Sequence, residues 1–197
     1  MNSGVILDRM LAANKGYLLA AEAVAQGISR QVLSNYVKRN HLERVARGVY
    51  AAVDAWPDDL YLIRLRNSGV IFSHETALYL HGLMEREPSV TTVTVKFGYN
   101  AVHLRERGIK VVTAIDDYFD VGKSVAETNY GNKVAVYDME RTICDIIRNK
   151  EKMDIQVFQT AMKEYMASPK KKLPILMMYA SKFGIENFVR TYTEVML

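Results

Sequence analysis

The sequence of 197 residues contains a single cysteine, Cys144, and no run of the roughly twenty apolar residues that a membrane span requires. One cysteine excludes an intrachain disulfide framework and a CxxC metal site, and it fits a reducing compartment. The N-terminal residues MNSGVILDRML lack a charged start followed by an apolar stretch, so we expect no signal peptide. We therefore predict a soluble, cytoplasmic protein.

The sequence also lacks the short motifs that bind cofactors or perform common hydrolytic chemistry. It contains no GxGxxG, GxxxxGK[ST], HExxH or GxSxG pattern, so we expect no cofactor and no enzymatic activity. His74 and His81 can share a helical face but have no further ligands in a zinc-binding pattern, so we expect no metal site. Cys144 lies among isoleucines on a predicted helix, where a packed thiol is expected rather than a nucleophile.

The stretch FSHETALYLHGL contains residue types of a catalytic triad. Ser73, His74 and Glu75 are consecutive, however, and consecutive side chains at a helix start point in different directions. We predict instead that Ser73 caps a short helix.

The stretch YDMERTICDIIRNK is also rich in charge. We predict that Asp138 caps its helix and that Arg141 pairs with Asp145 four residues later. A catalytic carboxylate pair around Glu140 and Asp145, as in a nucleic-acid-processing enzyme, remains an alternative.

Positive charge is concentrated in the first quarter of the chain. The net charge is +4, residues 1–53 contain seven Lys and Arg against three Asp and Glu, and the rest of the chain is balanced. A local positive excess attracts polyanions such as nucleic acid. A merely solvated basic surface would have the same composition, so charge alone leaves both interpretations open.

Acidic side chains are absent from one face of the helix predicted after Ser29. At 100° per residue, one arc of this helix carries Arg30, Gln31, Ser34, Asn35 and Lys38, and the other carries Val32, Leu33, Tyr36 and Val37. The polar arc carries Arg, Gln, Ser, Asn and Lys, which suit base edges and phosphates. This pattern predicts a helix that packs by one side and presents the other to DNA.

A predicted hairpin follows this helix directly. Residues 41–45 and 49–52 indicate two short strands, and Arg47-Gly48 indicates the turn between them. Two helices joined by a turn at Gly27, followed by a hairpin, predict a winged helix-turn-helix domain over residues 1–53. Arg47 at the tip of the wing would then reach phosphate or a minor groove.

The remaining residues predict an α+β C-terminal domain over 57–197 with a helical tail. Alternating residues predict strands over 90–97, 109–114, 118–121 and 133–136, and helices are expected over 139–150, 154–166, 173–183 and 185–197. Pro57 is expected in the first turn of an earlier helix, followed by Asp58 and Asp59. The Lys170–Lys172 run is either a solvated loop or a second nucleic-acid contact.

Three stretches together resemble the AbiEi-like antitoxins of type IV, abortive-infection toxin–antitoxin systems. They are GISRQVLSNYVKRNHLERVARGVYA, VIFSHETALYLHGL followed by VTTVTVKF, and VYDMERTICDIIR ahead of the tail YASKFGIENFVRTYTEVML. The resemblance implies a winged-helix repressor that binds operator DNA, with inverted repeats, in its own promoter. It also implies a C-terminal domain that neutralises a nucleotidyltransferase toxin without a stable complex.

The resemblance and the charge pattern assign eight candidate DNA-binding residues. They are Arg30, Gln31, Ser34, Asn35, Lys38, Arg39, Arg44 and Arg47. A stand-alone transcriptional regulator with a ligand-sensing C-terminal domain remains a further alternative, because no chemical role is assigned to the C-terminal motifs.

Overall fold

The computed structural model describes residues 2–196. The chain divides into two compact units, which are described separately. The N-terminal unit comprises residues 1–68 together with 127–133, and the C-terminal unit comprises 69–126 and 134–197. None of the helices in the described part of the chain is long and apolar enough to cross a membrane.

The N-terminal unit contains four helices and a three-stranded antiparallel sheet. Its elements are α1 (Ser3–Ala13), β1 (Tyr17–Leu19), α2 (Ala20–Ala25), α3 (Arg30–Arg39), β2 (Glu43–Ala46), β3 (Val49–Ala51) and α4 (Asp59–Arg66). The strand order is β1-β3-β2. Leu7, Leu18, Ala23 and Leu33 are buried between the first three helices and the sheet. The predicted helices and hairpin are therefore present, with small shifts at their ends.

The N-terminal unit extends beyond the boundary expected between residues 53 and 57. The side chains of Tyr61, Leu62 and Leu65 on α4 pack against the buried residues of β1 and β3. The loop over residues 127–133 is joined to the unit by buried Asp58, whose Oδ2 accepts hydrogen bonds from Thr128 Oγ1 (2.5 Å) and Asn132 Nδ2 (2.8 Å). Where the chain can be divided into independently folding parts stays a prediction.

The C-terminal unit is a mixed α+β arrangement with a helical C-terminal region. Its strands are β4 (Ile71–Phe72), β5 (Thr92–Lys96), β6 (Lys110–Ala114), β7 (Lys123–Glu127) and β8 (Lys133–Tyr137), except that the last residue of β7 and the first residue of β8 belong to the N-terminal unit. Its helices are α5 (His74–Leu80), α6 (Val102–Arg105), α7 (Asp116–Phe119), α8 (Met139–Arg148), α9 (Ile155–Ala167), α10 (Leu173–Phe183) and α11 (Glu186–Met196), with a 3-10 turn over Lys150–Lys152. The sheet order is β6-β5-β4-β8-β7, and the main core lies between α8, α9, α10 and α11. The predicted end of the last helix, Leu197, lies outside the described residues.

Two predictions about the C-terminal unit are wrong in their local detail. The stretch 118–121, predicted as a strand, contains the end of helix α7, whose first turn carries Asp116 and Asp117. Carboxylates favour the positive end of a helix, which outweighs the short apolar pattern. Ser73 lies at the N-cap position of α5 but makes no capping hydrogen bond. Its hydroxyl instead accepts a hydrogen bond from Thr94 at 2.9 Å.

Two helices of the N-terminal unit begin at short polar caps. Asn2 caps α1 by accepting a hydrogen bond from the backbone N–H of Gly4. Asp58 caps α4 by accepting a hydrogen bond from the backbone N–H of Tyr61, so Pro57 lies before the helix and not in its first turn as predicted. In both cases the cap is a short side chain with an oxygen acceptor, as helix starts require.

Candidate nucleic-acid interface

Helix α3 is fixed by its cap and by two buried side chains. The Ser29 hydroxyl accepts a hydrogen bond from the backbone N–H of Val32 at 3.3 Å, as predicted for the N-cap. Leu33 and Tyr36 are each 4% exposed and pack in the core of the N-terminal unit. The packing of these two side chains therefore determines how the exposed polar face of α3 is oriented.

Tyr36 also joins α3 to α1 by a polar contact. Its hydroxyl donates a hydrogen bond to Asp8 Oδ1 at 2.6 Å. Burial is the larger cause and the contact with Asp8 the second, and together they raise the pKa of Tyr36 to about 12. The phenol therefore remains a hydrogen-bond donor at neutral pH. The guanidinium carbon of Arg39 lies 6.0 Å from the ring centroid of Tyr36, a cation–π arrangement.

All eight predicted DNA-binding side chains are exposed. Among the residues that the structure describes, none of the four arginines and one lysine in this set forms an ion pair with a carboxylate. Gln31 Nε2 donates a hydrogen bond to Asn35 Oδ1 at 3.2 Å, so these two amides lie side by side on α3. The face can therefore offer unpaired positive charge and amide groups to a polyanion.

Val32 differs from its predicted position on the apolar side of α3. It is 38% exposed and lies at the border between the two faces. Together with Asn35 and Arg39 it lines a groove of about 410 Å³ that is completed by the first turns of α1, including Asn2 and Asp8. The helical pattern of α3 alone could not indicate this groove, because it depends on where α1 packs.

The hairpin presents the other two predicted residues. Arg44 lies on β2, and Arg47 lies in the two-residue turn between Ala46 and Val49, which pair directly. Gly48 in the turn has φ of +73°, a conformation that side chains disfavour. The register shifts between Arg44 and Ala46, which marks a bulge on β2. The predicted Arg-Gly turn is thus present at the tip of a short hairpin.

The alternative catalytic groups of the C-terminal unit are engaged in internal contacts. Glu140 Oε1 accepts hydrogen bonds from the Tyr165 hydroxyl (3.2 Å) and the Lys172 backbone N–H (2.8 Å). Arg141 Nε donates to Asp145 Oδ2 at 2.9 Å, which confirms the predicted pairing along α8. The two carboxylates therefore have separate structural partners.

His81 and Cys144 make internal contacts. His81 Nε2 lies 2.6 Å from the carbonyl oxygen of Tyr137. Within the described residues, no group of three His, Cys, Asp or Glu side chains could hold a metal ion. Cys144 is fully buried, and burial raises the pKa of its thiol to about 12. This thiol is therefore protonated near neutral pH, in agreement with the expected packed role.

The comparisons with known proteins bear on the fold and on the N-terminal segment. A crystal structure of the RV2827C protein from Mycobacterium tuberculosis is similar with a TM-score of 0.56 and 12% sequence identity, and the similarity covers 89% of this chain and 70% of that one. At this identity the likeness concerns the fold alone. No curated protein matches the sequence. Residues 6–53 match the family described as transcriptional regulator, AbiEi antitoxin, and this confirms the resemblance inferred from the sequence.

Proposed function

We propose that the protein is an antitoxin that represses its own operon through a winged helix-turn-helix in its N-terminal unit. The order α1-β1-α2-α3-β2-β3, with the three strands in one antiparallel sheet, supports this assignment. In such a domain the second helix of the helix-turn-helix, here α3, enters the major groove. The hairpin β2–β3 is then the wing.

The exposed face of α3 is the observation that carries the proposal. It presents two basic residues, Arg30 and Lys38, beside the adjacent amides of Gln31 and Asn35, and it contains no carboxylate. Arg suits guanine and Asn or Gln suits adenine in the major groove. The family match over residues 6–53 coincides with this helix and the wing.

Arg39, Arg44 and Arg47 have a different proposed role. Arg39 lies over Tyr36 at the side of α3, and the other two lie on or beside the wing. These positions suit contacts with the phosphate backbone, which position a protein on DNA without reading sequence. The proposed ligand is double-stranded operator DNA in the protein's own promoter.

Replacing Asn35 tests whether α3 reads bases. We expect Asn35→Ala to weaken binding to operator DNA by about 1–3 kcal/mol, with a much smaller loss on scrambled DNA. Arg47→Ala should weaken binding to both DNAs similarly, because a phosphate contact carries no sequence information. Gln156→Ala, an exposed amide on α9, is the matched control and should change neither affinity. Equal losses for Asn35→Ala on both DNAs in gel shifts would refute the assignment.

The C-terminal unit is proposed to neutralise a nucleotidyltransferase toxin encoded beside this gene, without forming a stable complex. The antitoxin description of the matched family supports this role, and the unit has an apolar core of its own. Co-expression of the toxin with the full-length protein should restore growth. The double variant Arg30→Ala, Lys38→Ala should also restore growth while losing operator binding. Loss of protection by this variant at normal expression would mean that repression and neutralisation share a surface.

A further inference from the structure

The C-terminal unit contains a polar cavity of about 370 Å³ that the proposed function does not use. Its charged and amide lining comes from the start of α5 and from α8: His74, Arg141, Asp145, Arg148 and Asn149. The remaining lining includes Val112, Ala114, Ile115 and Tyr118. A cavity of this size, with a few convergent polar groups beside apolar walls, is typical of sites for small molecules.

Arg141 has hydrogen-bonding capacity left for a ligand. Its side chain is only 3% exposed, its Nε donates to Asp145, and its Nη1 donates to the carbonyl oxygens of Tyr118 (2.6 Å) and Val121 (2.9 Å). Nη2 has no acceptor among the described residues. Since every fully buried polar side-chain atom of those residues has a partner, Nη2 retains some accessible surface, and Arg141 is one of the residues that line the cavity.

Arg148 supplies a second guanidinium at the same cavity. Its Nη1 lies 3.6 Å from Asp145 Oδ1, beyond hydrogen-bond distance, and its side chain is 37% exposed. Asp145 is thus one carboxylate placed between two guanidinium groups. Arg148 also lies over the ring of Phe183, with 5.2 Å to the centroid, which restricts where the group can move. The cavity therefore has an excess of one positive charge and donors held in place.

His74 is neutral and therefore does not change the net charge of the cavity. Asn149 Nδ2 donates to the carbonyl oxygen of Asp145 (2.9 Å) and lies 3.2 Å from His74 Nε2, so Nε2 is assigned as an acceptor. The proton is then on Nδ1, 3.1 Å from the Ser73 hydroxyl oxygen. Burial lowers the pKa of His74, which favours this neutral form. The residue also has φ of +51°, a strained conformation that is often found at functional sites.

We propose that this cavity binds a small organic oxyanion, a carboxylate or a phosphate monoester. The anionic group accepts hydrogen bonds from Arg141 Nη2 and the guanidinium of Arg148, and the apolar part of the ligand packs against Val112, Ile115 and Tyr118. The hydrogen bond between Arg141 and Asp145 uses Arg141 Nε and leaves Arg141 Nη2 and the guanidinium of Arg148 as donors at the cavity. Planar guanidinium groups match the geometry of carboxylate and phosphate oxygens.

Titration of the full-length protein with inorganic phosphate, and separately with acetate, tests the proposal by NMR of the histidine rings. The chain has four histidines, and His74 alone of these lines the cavity. We expect at least one of the two anions to shift the ring signals of His74 at millimolar concentrations. Anions that bind the basic face of α3 would leave His74 unshifted, so the two sites are distinguishable. Stronger binding of phosphate than of acetate would identify a phosphate monoester, and the reverse a carboxylate.

Variants of Arg148 complete the test. Arg148→Gln should weaken the anion affinity read from His74 at least about tenfold, the loss of one charge-assisted hydrogen bond. Arg148→Lys keeps the charge and should weaken it less. Arg107→Gln removes an exposed arginine elsewhere in the unit and should leave the affinity unchanged. The proposal is overturned if neither anion shifts His74, or if Arg148→Gln and Arg107→Gln have the same effect.

Discussion

We predict that the stability of the N-terminal unit depends strongly on Asp58. Its carboxylate is 1% exposed and accepts hydrogen bonds from Thr128, from Asn132 and from the backbone N–H of Tyr61. Asp58→Ala removes the cap of α4 and leaves two buried donors without their acceptor. The adjacent Asp59 is exposed and lies in the first turn of the same helix, so Asp59→Ala is a matched control.

The size of the effect follows from these three contacts. Loss of a helix cap costs about 1 kcal/mol. Each hydrogen bond to a charged acceptor contributes about 1.5–3 kcal/mol. Because the buried charge and its desolvation are removed as well, we take the lower value for each bond. We therefore expect Asp58→Ala to lower the free energy of unfolding by about 4 kcal/mol, and Asp59→Ala to lower it by no more than about 0.5 kcal/mol.

Urea unfolding followed by tryptophan fluorescence measures the difference in stability between Asp58→Ala and Asp59→Ala in the N-terminal unit. Trp56 is the single tryptophan and stacks on Tyr130, with ring centroids 6.3 Å apart. Its emission therefore reports the contact between the 127–133 loop and the rest of the N-terminal unit. If the two alanine variants unfold at the same urea concentration, the loop does not contribute to this unit and the account of Asp58 is wrong.

Three further predictions concern a glycine contact, a buried thiol and a helix cap. Gly122 and Gly108 both have positive φ, but a Cβ at Gly122 would lie 2.4 Å from Arg141 Cβ while one at Gly108 meets no atom within 4 Å. In chemical unfolding followed by circular dichroism, Gly122→Ala should therefore be less stable than Gly108→Ala by about 2 kcal/mol; equal losses would contradict the clash. Cys144 should resist thiol reagents at pH 8 in the native protein and react quickly in urea, because burial raises its pKa to about 12; rapid native reaction would show that the thiol is accessible. Ser29→Ala should lower the free energy of unfolding by about 1 kcal/mol and weaken operator binding through the start of α3; an unchanged stability would mean that the cap is dispensable.

Local patterns were sufficient to predict the part of the fold that carries the proposed interface. The position of α3 followed from the spacing of Leu33 and Tyr36, and its start followed from Ser29, because both signals lie within a few residues. The turn at Arg47 and Gly48 was predicted for the same reason. Whether the eight candidate residues contact DNA stays a prediction.

Contacts between residues far apart in sequence account for what the sequence did not indicate. The hydrogen bonds of Asp58 to Thr128 and Asn132 span 70 and 74 residues, so no local pattern could assign the 127–133 loop to the N-terminal unit. Ser73 was predicted to cap α5, yet its hydroxyl is bound by Thr94 on a neighbouring strand. The hydrogen bonds that Arg141 Nη1 donates to the carbonyl oxygens of Tyr118 and Val121 likewise depend on where residues 118–121 pack.

The salt dependence of DNA binding tests the central claim most directly. The basic residues of α3 and the wing would displace counterions from about four to six phosphates, so the affinity of the full-length protein for its own upstream DNA should fall steeply with salt. A plot of log affinity against log salt concentration should have a slope of about −4 to −5. The double variant Arg44→Ala, Arg47→Ala, which removes two proposed phosphate contacts, should reduce the magnitude of this slope by about 2. A wild-type slope near zero would contradict the assignment of this face to DNA.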